Sequence, residues 1–285
     1  MRMYRPALAA LLMIVIAGPA WAQQRPLVTE DPETVDAGHL LIEGGAELRF
    51  EQKYPVSGLQ GDLWRLPALG LSIGLSSIAE LQIDGGIYDR LSISKRTKAP
   101  LSSLVTATGD HTHDVSDIVI GTKIKMVSEA PGHPAVGIRF ATKLPNASNE
   151  SGLGLDTTDF FASLLVAKNV QSLRVVGNVG LGILADPTSG NRQNDVLTYG
   201  ISLAQALTPR AELVGEINGR ASMRSGTAFP GTDSSSMVRA GLRFTPGSVR
   251  FDGGVMFGLT DDGPDIGFTA GLTYVFNAFH LPNTP

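Results

Sequence analysis

The sequence predicts an all-β fold, a transmembrane antiparallel up-and-down β-barrel of about twelve strands. Three observations predict it. From His39 to Phe276 apolar residues recur at every second position, so each extended segment has one apolar and one polar face. The connections alternate between tight turns and longer polar loops. After the first residues no stretch is apolar for long enough to form a spanning helix, and no helix-length window carries a 3.6-residue stripe.

The chain opens with a secretion signal. Arg2 and Arg5 give a positive start, Ala7 to Ala17 an apolar run, and Ala20-Trp21-Ala22 the small residues a signal peptidase reads. Residues 1–22 are expected to be removed, since the run is short for a spanning anchor. Residues 23–38 (QQRPLVTEDPETVDAG) are polar, proline-broken and aperiodic. They are expected on the periplasmic side, either as a partial plug folded into the barrel mouth or as a disordered tail.

The barrel is expected over residues 39–276. Leu40–Glu51 sets Glu43, Glu47, Arg49 and Glu51 against Ile42, Ala46, Leu48 and Phe50. Leu63–Gly74 turns Leu69, Leu71 and Ile73 outward and Gly70, Ser72 and Gly74 inward. Ala79–Ile93 opposes Glu80, Gln82, Asp84, Tyr88 and Arg90 to Leu81, Ile83, Ile87 and Leu91. Val115–Val127 places Asp117, Lys123 and Lys125 opposite Ile118, Ile120, Ile124 and Met126. Ala135–Leu144 places Arg139 and Lys143 opposite Val136, Ile138 and Phe140. Thr157–Lys168, Leu173–Leu184, Asp195–Ala206, Ala211–Met223, Met237–Thr245 and Val249–Thr260 continue the pattern.

The last segment, Asp265–Phe276, is the clearest. Ile266, Phe268, Ala270, Leu272, Tyr274 and Phe276 share one face and Gly267, Thr269, Gly271 and Thr273 the other. The first face suits lipid and ends in an aromatic pair at interface height; the second suits a wet lumen. Gly271, Tyr274 and Phe276 also fit the C-terminal signal by which outer-membrane barrels are recognised for insertion, although residues 277–285 continue past it as a tail.

Alternation alone suits a soluble sandwich as well; the connections discriminate. Leu75–Ile78, Glu129–Pro134, Asn169–Ser172, Leu207–Arg210 and Pro246–Ser248 are tight. Gln52–Asp62, Ser94–Asp114, Pro145–Asp156, Ala185–Asn194 and Arg224–Ser236 are longer and more polar, with Asp261–Pro264 a short exception. Short turns on one side and long loops on the other, with an even strand count, describe an outer-membrane barrel with both termini in the periplasm. A soluble sheet of this size would leave open edges that nothing here covers.

Without residues 1–22 the chain carries 21 basic against 27 acidic residues, which leaves no footprint for nucleic acid. It has no cysteine, hence no disulfide or thiolate site. Its 33 glycines are scattered through the alternating segments, as curved sheets require, rather than gathered in a linker.

With the strands laid out, the chain resembles the outer-membrane proteins named for the MetA pathway of phenol degradation. The resemblance rests on Pro26-Leu27-Val28-Thr29-Glu30, Pro32-Glu33-Thr34-Val35, Gly38, and Glu43-Gly44-Gly45. Ser116 to Lys123, Pro134 to Gly137, Lys143-Leu144-Pro145 and Leu207 to Leu213 extend it, and Gly258 to Asp265 is its most specific part. The resemblance implies a membrane barrel with an uptake role for small, often apolar molecules, and no catalytic residues.

The inward charges are the candidate pore residues: Glu43, Glu47, Glu80, Asp84, Asp117, Glu212 and Glu216 against Lys123, Lys125, Arg139, Lys143, Arg239 and Arg243. Their signs are sorted by strand, so they can pair across the wall as a structural ladder, or set a transverse field that orients solutes. An enzymatic barrel would need histidine with a carboxylate or serine. Asp110-His111-Thr112-His113-Asp114 is the candidate, in the longest outer loop, and reads as a solvated loop end with no closed ligand set. The expectation is a channel or transporter for passive passage of small, hydrophobic or aromatic molecules in a bacterial outer membrane, not an enzyme. A surface-displayed adhesion barrel or a hydrolase using His111 and His113 are the alternatives. No cofactor or metal is expected. The expected partners are outer-membrane lipid, the barrel-assembly machinery, periplasmic chaperones and a small solute.

Overall fold

The structure is a computed structural model that describes residues 25–280; residues 1–22, expected as a secretion signal, residues 23–24 and the last five residues lie outside the described residues. Fourteen strands among the described residues form one antiparallel sheet: β1 (His39–Tyr54), β2 (Leu59–Gly74), β3 (Ala79–Gly86), β4 (Asp89–Arg96), β5 (His111–Asp114), β6 (Val119–Val127), β7 (Ala135–Lys143), β8 (Asp159–Val170), β9 (Leu173–Ala185), β10 (Gln193–Thr208), β11 (Ala211–Ser222), β12 (Ser235–Phe244), β13 (Val249–Gly258) and β14 (Ile266–Asn277). The sheet closes on itself because β1 pairs with both β2 and β14. Closure pairs β1 on both sides, while β5 has a ladder partner on one side only, in β4.

Twelve staves make the wall, because β3 with β4 and β5 with β6 are each one stave interrupted in the middle. β2 pairs with β3 through Ala68–Gly74 and with β4 through Leu59–Arg65. The gap lies opposite Pro67, which has no N–H to give the ladder. Around it Leu66 N–H still reaches Tyr88 O at 2.9 Å and Ile87 N–H reaches Pro67 O at 3.2 Å. The next stave breaks at the same height, since β6 pairs with β3 and β5 with β4.

Across this gap the alternation slips by one residue. Asp89 and Leu91 are buried inside, whereas Tyr88 is exposed on the outer side against His113, 5.7 Å between ring centroids. Strict alternation through Ala79–Ile93 had set Tyr88 and Arg90 inward and Leu91 outward; the break inverts all three. A second slip corrects the first stave. Glu51 has φ of 50° in a bulge between Arg49 and Gln52, so Gln52 turns inward. Glu51 instead accepts from Gln60 Nε2 at 2.7 Å and Ser94 Oγ at 3.2 Å. The bulge also lets the ladder run on to Tyr54 and Leu59, so the expected loop over 52–62 is a turn of four residues.

The outer face is apolar all round: Phe140, Phe160, Leu181, Ile201, Leu242 and Phe268 are among its exposed side chains. A band of this kind is stable against acyl chains and unstable in water. Tyr274 and Phe276 stack at its lower margin, ring centroids 5.5 Å apart. Apolar packing inside the barrel is confined to its ends. Val35, Leu41 and Val275 cluster where the termini lie. At the loop end Leu59, Leu63 and Leu91 pack with Tyr54, Ile93, Val105 and Leu153, each buried leucine contributing roughly 1.5–3 kcal/mol. Between the two, the inner wall is charged.

Candidate functional site

Residues 25–38 lie inside the barrel, against its inner wall. The segment leaves β1 through Gly38, whose carbonyl accepts the N–H groups of Ala278 and Phe279 at 3.0 and 3.1 Å. Val35 N–H donates to Glu80 Oε2 at 2.5 Å, and Glu33 pairs with Lys125 at 3.0 Å. Asp31 forms a close pair with Arg174, which also reaches Glu129 at 3.2 Å. Burial works against the Asp31 carboxylate, but the Arg174 guanidinium outweighs it and holds the carboxyl below its ordinary range.

From Glu30 onward the segment crosses the lumen. Glu30 pairs with Arg139 at 3.0 Å and with Lys123 at 3.5 Å, and its N–H donates to Asn178 Oδ1 at 2.7 Å. Val28 and Thr29 donate their N–H groups to Glu216 at 2.9 and 2.8 Å. Arg25 donates to Thr269 Oγ1 at 2.8 Å, sits 3.4 Å from Asp252, and receives Arg243 Nε at its carbonyl at 2.9 Å. The segment therefore visits the staves of β3, β6, β9, β11 and β13–β14 in turn, a partial ring pressed against the wall. The irregular backbone needs these side-chain partners because it contributes no ladder of its own.

Glycines make room for it. A Cβ at Gly45 or Gly271 would strike the Arg25 guanidinium, and one at Gly241 would come within 2.8 Å of Pro26. Gly271, read from the sequence as part of an insertion signal, thus also faces the inserted segment.

Residues 25–30 border a cavity of about 750 Å³. The residues expected on the inner wall fall into three groups. Glu43, Glu47, Asp84, Asp117, Arg139, Lys143 and Arg239 border the cavity itself. Glu80, Lys123, Lys125 and Glu216 are turned to the inserted segment. Glu212 and Arg243 pair at 3.6 Å nearer the turn end, with Glu212 partly exposed. Pairing across neighbouring strands is extensive: Arg239 meets Glu216 at 2.9 Å, Lys143 meets Asp159 at 2.8 Å and Asp117 at 3.4 Å, and Lys123 meets Glu80 at 3.0 Å. Lys123 and Glu80 are fully buried, a setting in which each charge requires the other.

Several residues of this site escaped the sequence reading. Arg65 is bidentate to Asp89, at 2.9 and 2.7 Å, and lies 3.6 Å from Glu47; Ser116 Oγ donates to Asp89 at 2.8 Å. Arg65 and Asp89 flank the break at Pro67, where a period-two count loses register. Glu30, Asp31 and Glu33 sit in a stretch with no periodicity to read. Their signal was the charge complement: the basic strands β6, β7 and β9 face the acidic run Glu30–Glu33.

The apolar side of the cavity is supplied by Leu27, Leu153, Phe161 and Leu165. Phe161 stands opposite Ala141, with Arg139 and Lys143 at the adjacent inward positions of β7. A solute there meets an aromatic face and cationic groups together. His111 lies elsewhere, 2.9 Å from Asp110 and at the start of β5 rather than in the loop expected for it, and no three His, Asp or Glu side chains among the described residues converge as a metal site.

The family model described as "Putative MetA-pathway of phenol degradation" matches residues 25–276, a span that takes in the lumenal segment and all fourteen strands. The chain belongs to this MetA-pathway family. No curated protein matches it. Among solved structures this MetA-pathway protein is similar to an outer membrane channel from Pseudomonas putida F1, with 14% identity, a TM-score of 0.60, and coverage of 86% of this chain and 98% of that one. The NanC porin is similar at 9% identity and a TM-score of 0.51, covering 82% of this chain and 98% of that one. Both likenesses are of fold: a closed β-barrel of the outer-membrane kind.

Proposed function

We propose that this MetA-pathway family member is a bacterial outer-membrane channel for the passive passage of small molecules, gated by its own N-terminal segment. Both termini face the periplasm and the longer loops face outward. The observation that carries the reading is the seat of residues 25–30: they border the lumenal cavity and are held to the wall mainly by ion pairs and hydrogen bonds. Polar groups released from these contacts can be satisfied by water in an open lumen, whereas a packed apolar plug would expose apolar surface on leaving. The solute is a small aromatic molecule carrying a hydroxyl or carboxylate, matched to Phe161 beside Arg139 and Lys143. Gly271, Tyr274 and Phe276 serve as the signal for the barrel-assembly machinery, to which periplasmic chaperones deliver the chain.

Liposome swelling with a panel of aromatic acids, phenols, sugars and saturated fatty acids tests the reading. Faster entry of the hydroxylated and carboxylated aromatics than of sugars of equal size supports it. Equal exclusion of every solute, by the full chain and by a variant lacking residues 25–38, would sink it.

A further inference from the structure

Three of the connections at the loop end meet over the mouth of the barrel. They join β1 to β2, β7 to β8 and β11 to β12, which are the first and second, fifth and sixth, and ninth and tenth of the twelve staves. Each starts a third of the way round the ring from the other two, so a contact shared by all three spans the opening. Gly231 marks that contact. A Cβ built on it would lie 2.9 Å from Val56 Cγ2 and 3.1 Å from Leu155 Cδ1, so one side chain from each of the other connections rests against its backbone. Its φ of 79° is a second reason for glycine at this point.

The three arms are held in different ways. The Gly231 carbonyl accepts from Arg220 of β11 at 3.0 Å, and the Thr232 carbonyl accepts from Asn194 of β10 at 3.0 Å, which makes this arm a fixed post. Val56 is buried, and its carbonyl accepts the Leu101 N–H at 2.9 Å. The connection from β7 to β8 is fastened at its root, where Asp117 accepts the N–H groups of Asn146 and Ala147 and Asp114 accepts that of Ser148. Nearer its tip Ser57 Oγ donates to the Gly152 carbonyl at 2.8 Å. Leu153 then turns into the roof of the lumenal cavity, and Leu155 reaches the post through its apolar side chain.

We infer that this junction is an outer gate and the apolar selector of the channel: Leu155 parts from Val56 and Gly231, and what passes must offer apolar surface in its place. An aromatic ring that enters between Val56 and Leu155 replaces their contact with its own. A hydrated ion or sugar gives up water there and receives no polar side chain in return from these three residues. The cavity thus lies between two closures in series, apolar at the outer end and polar at the inner. When the two act independently, the mean current follows the product of their open probabilities. The inference rests on the channel reading above and gives its preference for aromatic solutes a place in the fold.

Planar-bilayer recordings in potassium chloride test it with four proteins: the full chain, Val56→Ser with Leu155→Ser, deletion of residues 25–38, and the two changes combined. The serine pair is expected to raise the mean ionic current several-fold and the combination to multiply the separate effects. In liposomes the serine pair should bring the entry of sugars close to that of aromatic acids. Leu155→Met keeps the apolar contact and should behave as the full chain does. Heat-modifiable migration on a gel verifies that each barrel has assembled. Ionic current and sugar exclusion unchanged by the serine pair, in the full chain and in the deletion alike, would overturn the inference, and a deletion that conducts would still support the inner closure. A combination that conducts no better than the serine pair alone retains the outer gate and removes the N-terminal one.

Discussion

Glu216, in the middle of β11, accepts the backbone N–H groups of Val28 and Thr29 at 2.9 and 2.8 Å while holding Arg239 at 2.9 Å on its other side. One carboxylate thus fastens an irregular strand of chain to a regular one, and its side chain is fully buried in doing so. Glu216→Ala leaves two N–H donors unsatisfied and leaves the Arg239 guanidinium only the Asn218 Oδ1 acceptor at 3.0 Å. The expected loss is on the order of 1–3 kcal/mol in the seating of the segment, read as a several-fold rise in open-channel probability in planar bilayers. A barrel that conducts as wild type would show that the segment is held elsewhere.

The absence of native cysteine makes a direct lock available. A Cβ built on Gly200 lies 3.5 Å from the Cβ of Thr29, within the range a disulfide spans. Thr29→Cys with Gly200→Cys is expected to give an oxidised channel that stays shut and opens once reductant is added. Deletion of residues 25–38 should give the opposite, a permanently raised conductance. If oxidation leaves the current untouched, passage does not need the segment to move.

Acid should release the segment, and the sign follows from Asp31. Its docked carboxyl is held below the ordinary range by Arg174 despite burial. Docking energy from this pair is therefore complete above about pH 4, the free carboxyl value, and is lost as pH falls through the lowered docked value. Open probability should stay flat from neutral pH down to that point and then climb. Asp31→Asn should open more at pH 7 and show a weaker dependence on acid; identical titration curves for the two proteins would refute the assignment.

Gly271 and Phe276 can be separated by experiment although they belong to one sequence pattern. Phe276→Ala removes half of the stacked pair with Tyr274 on the lipid face and should lower the yield of heat-modifiable barrel several-fold in cells. Gly271→Ala places a methyl against the Arg25 guanidinium and within 2.6 Å of the Gly44 carbonyl of β1, and should raise the conductance of those barrels that assemble. Equal assembly defects in both variants would reduce Gly271 to its part in the signal.

The wall of this barrel was open to reading because a sheet with lipid on one side and water on the other imposes a period of two. From β6 to β14 the expected segments and the observed strands agree to within a few residues. The reading lost its place at Pro67 and Glu51, where an unpaired or extra residue shifts parity without altering composition. That is why Asp89 was passed over and Arg90 set on the wrong side. The lumenal course of residues 25–38 left no periodic trace, because each of its contacts is to a partner distant in sequence, as Val28 is to Glu216. Charge balance pointed to pairing across the wall; it could not point to a third party lying between.

Arg25 lies over Gly45 of β1 and Gly271 of β14, the first and last staves, which meet along a single ladder. Arg25 is thereby set across the joint that β14 must make with β1. Before the final stave is in place, half of Arg25's surroundings do not exist; after the cylinder shuts, the segment is already threaded within it. Sealing of the wall and seating of residues 25–38 are therefore expected to be coupled during assembly. A barrel that closed ahead of this segment would have to admit fourteen residues, half of them polar or charged, through a finished mouth.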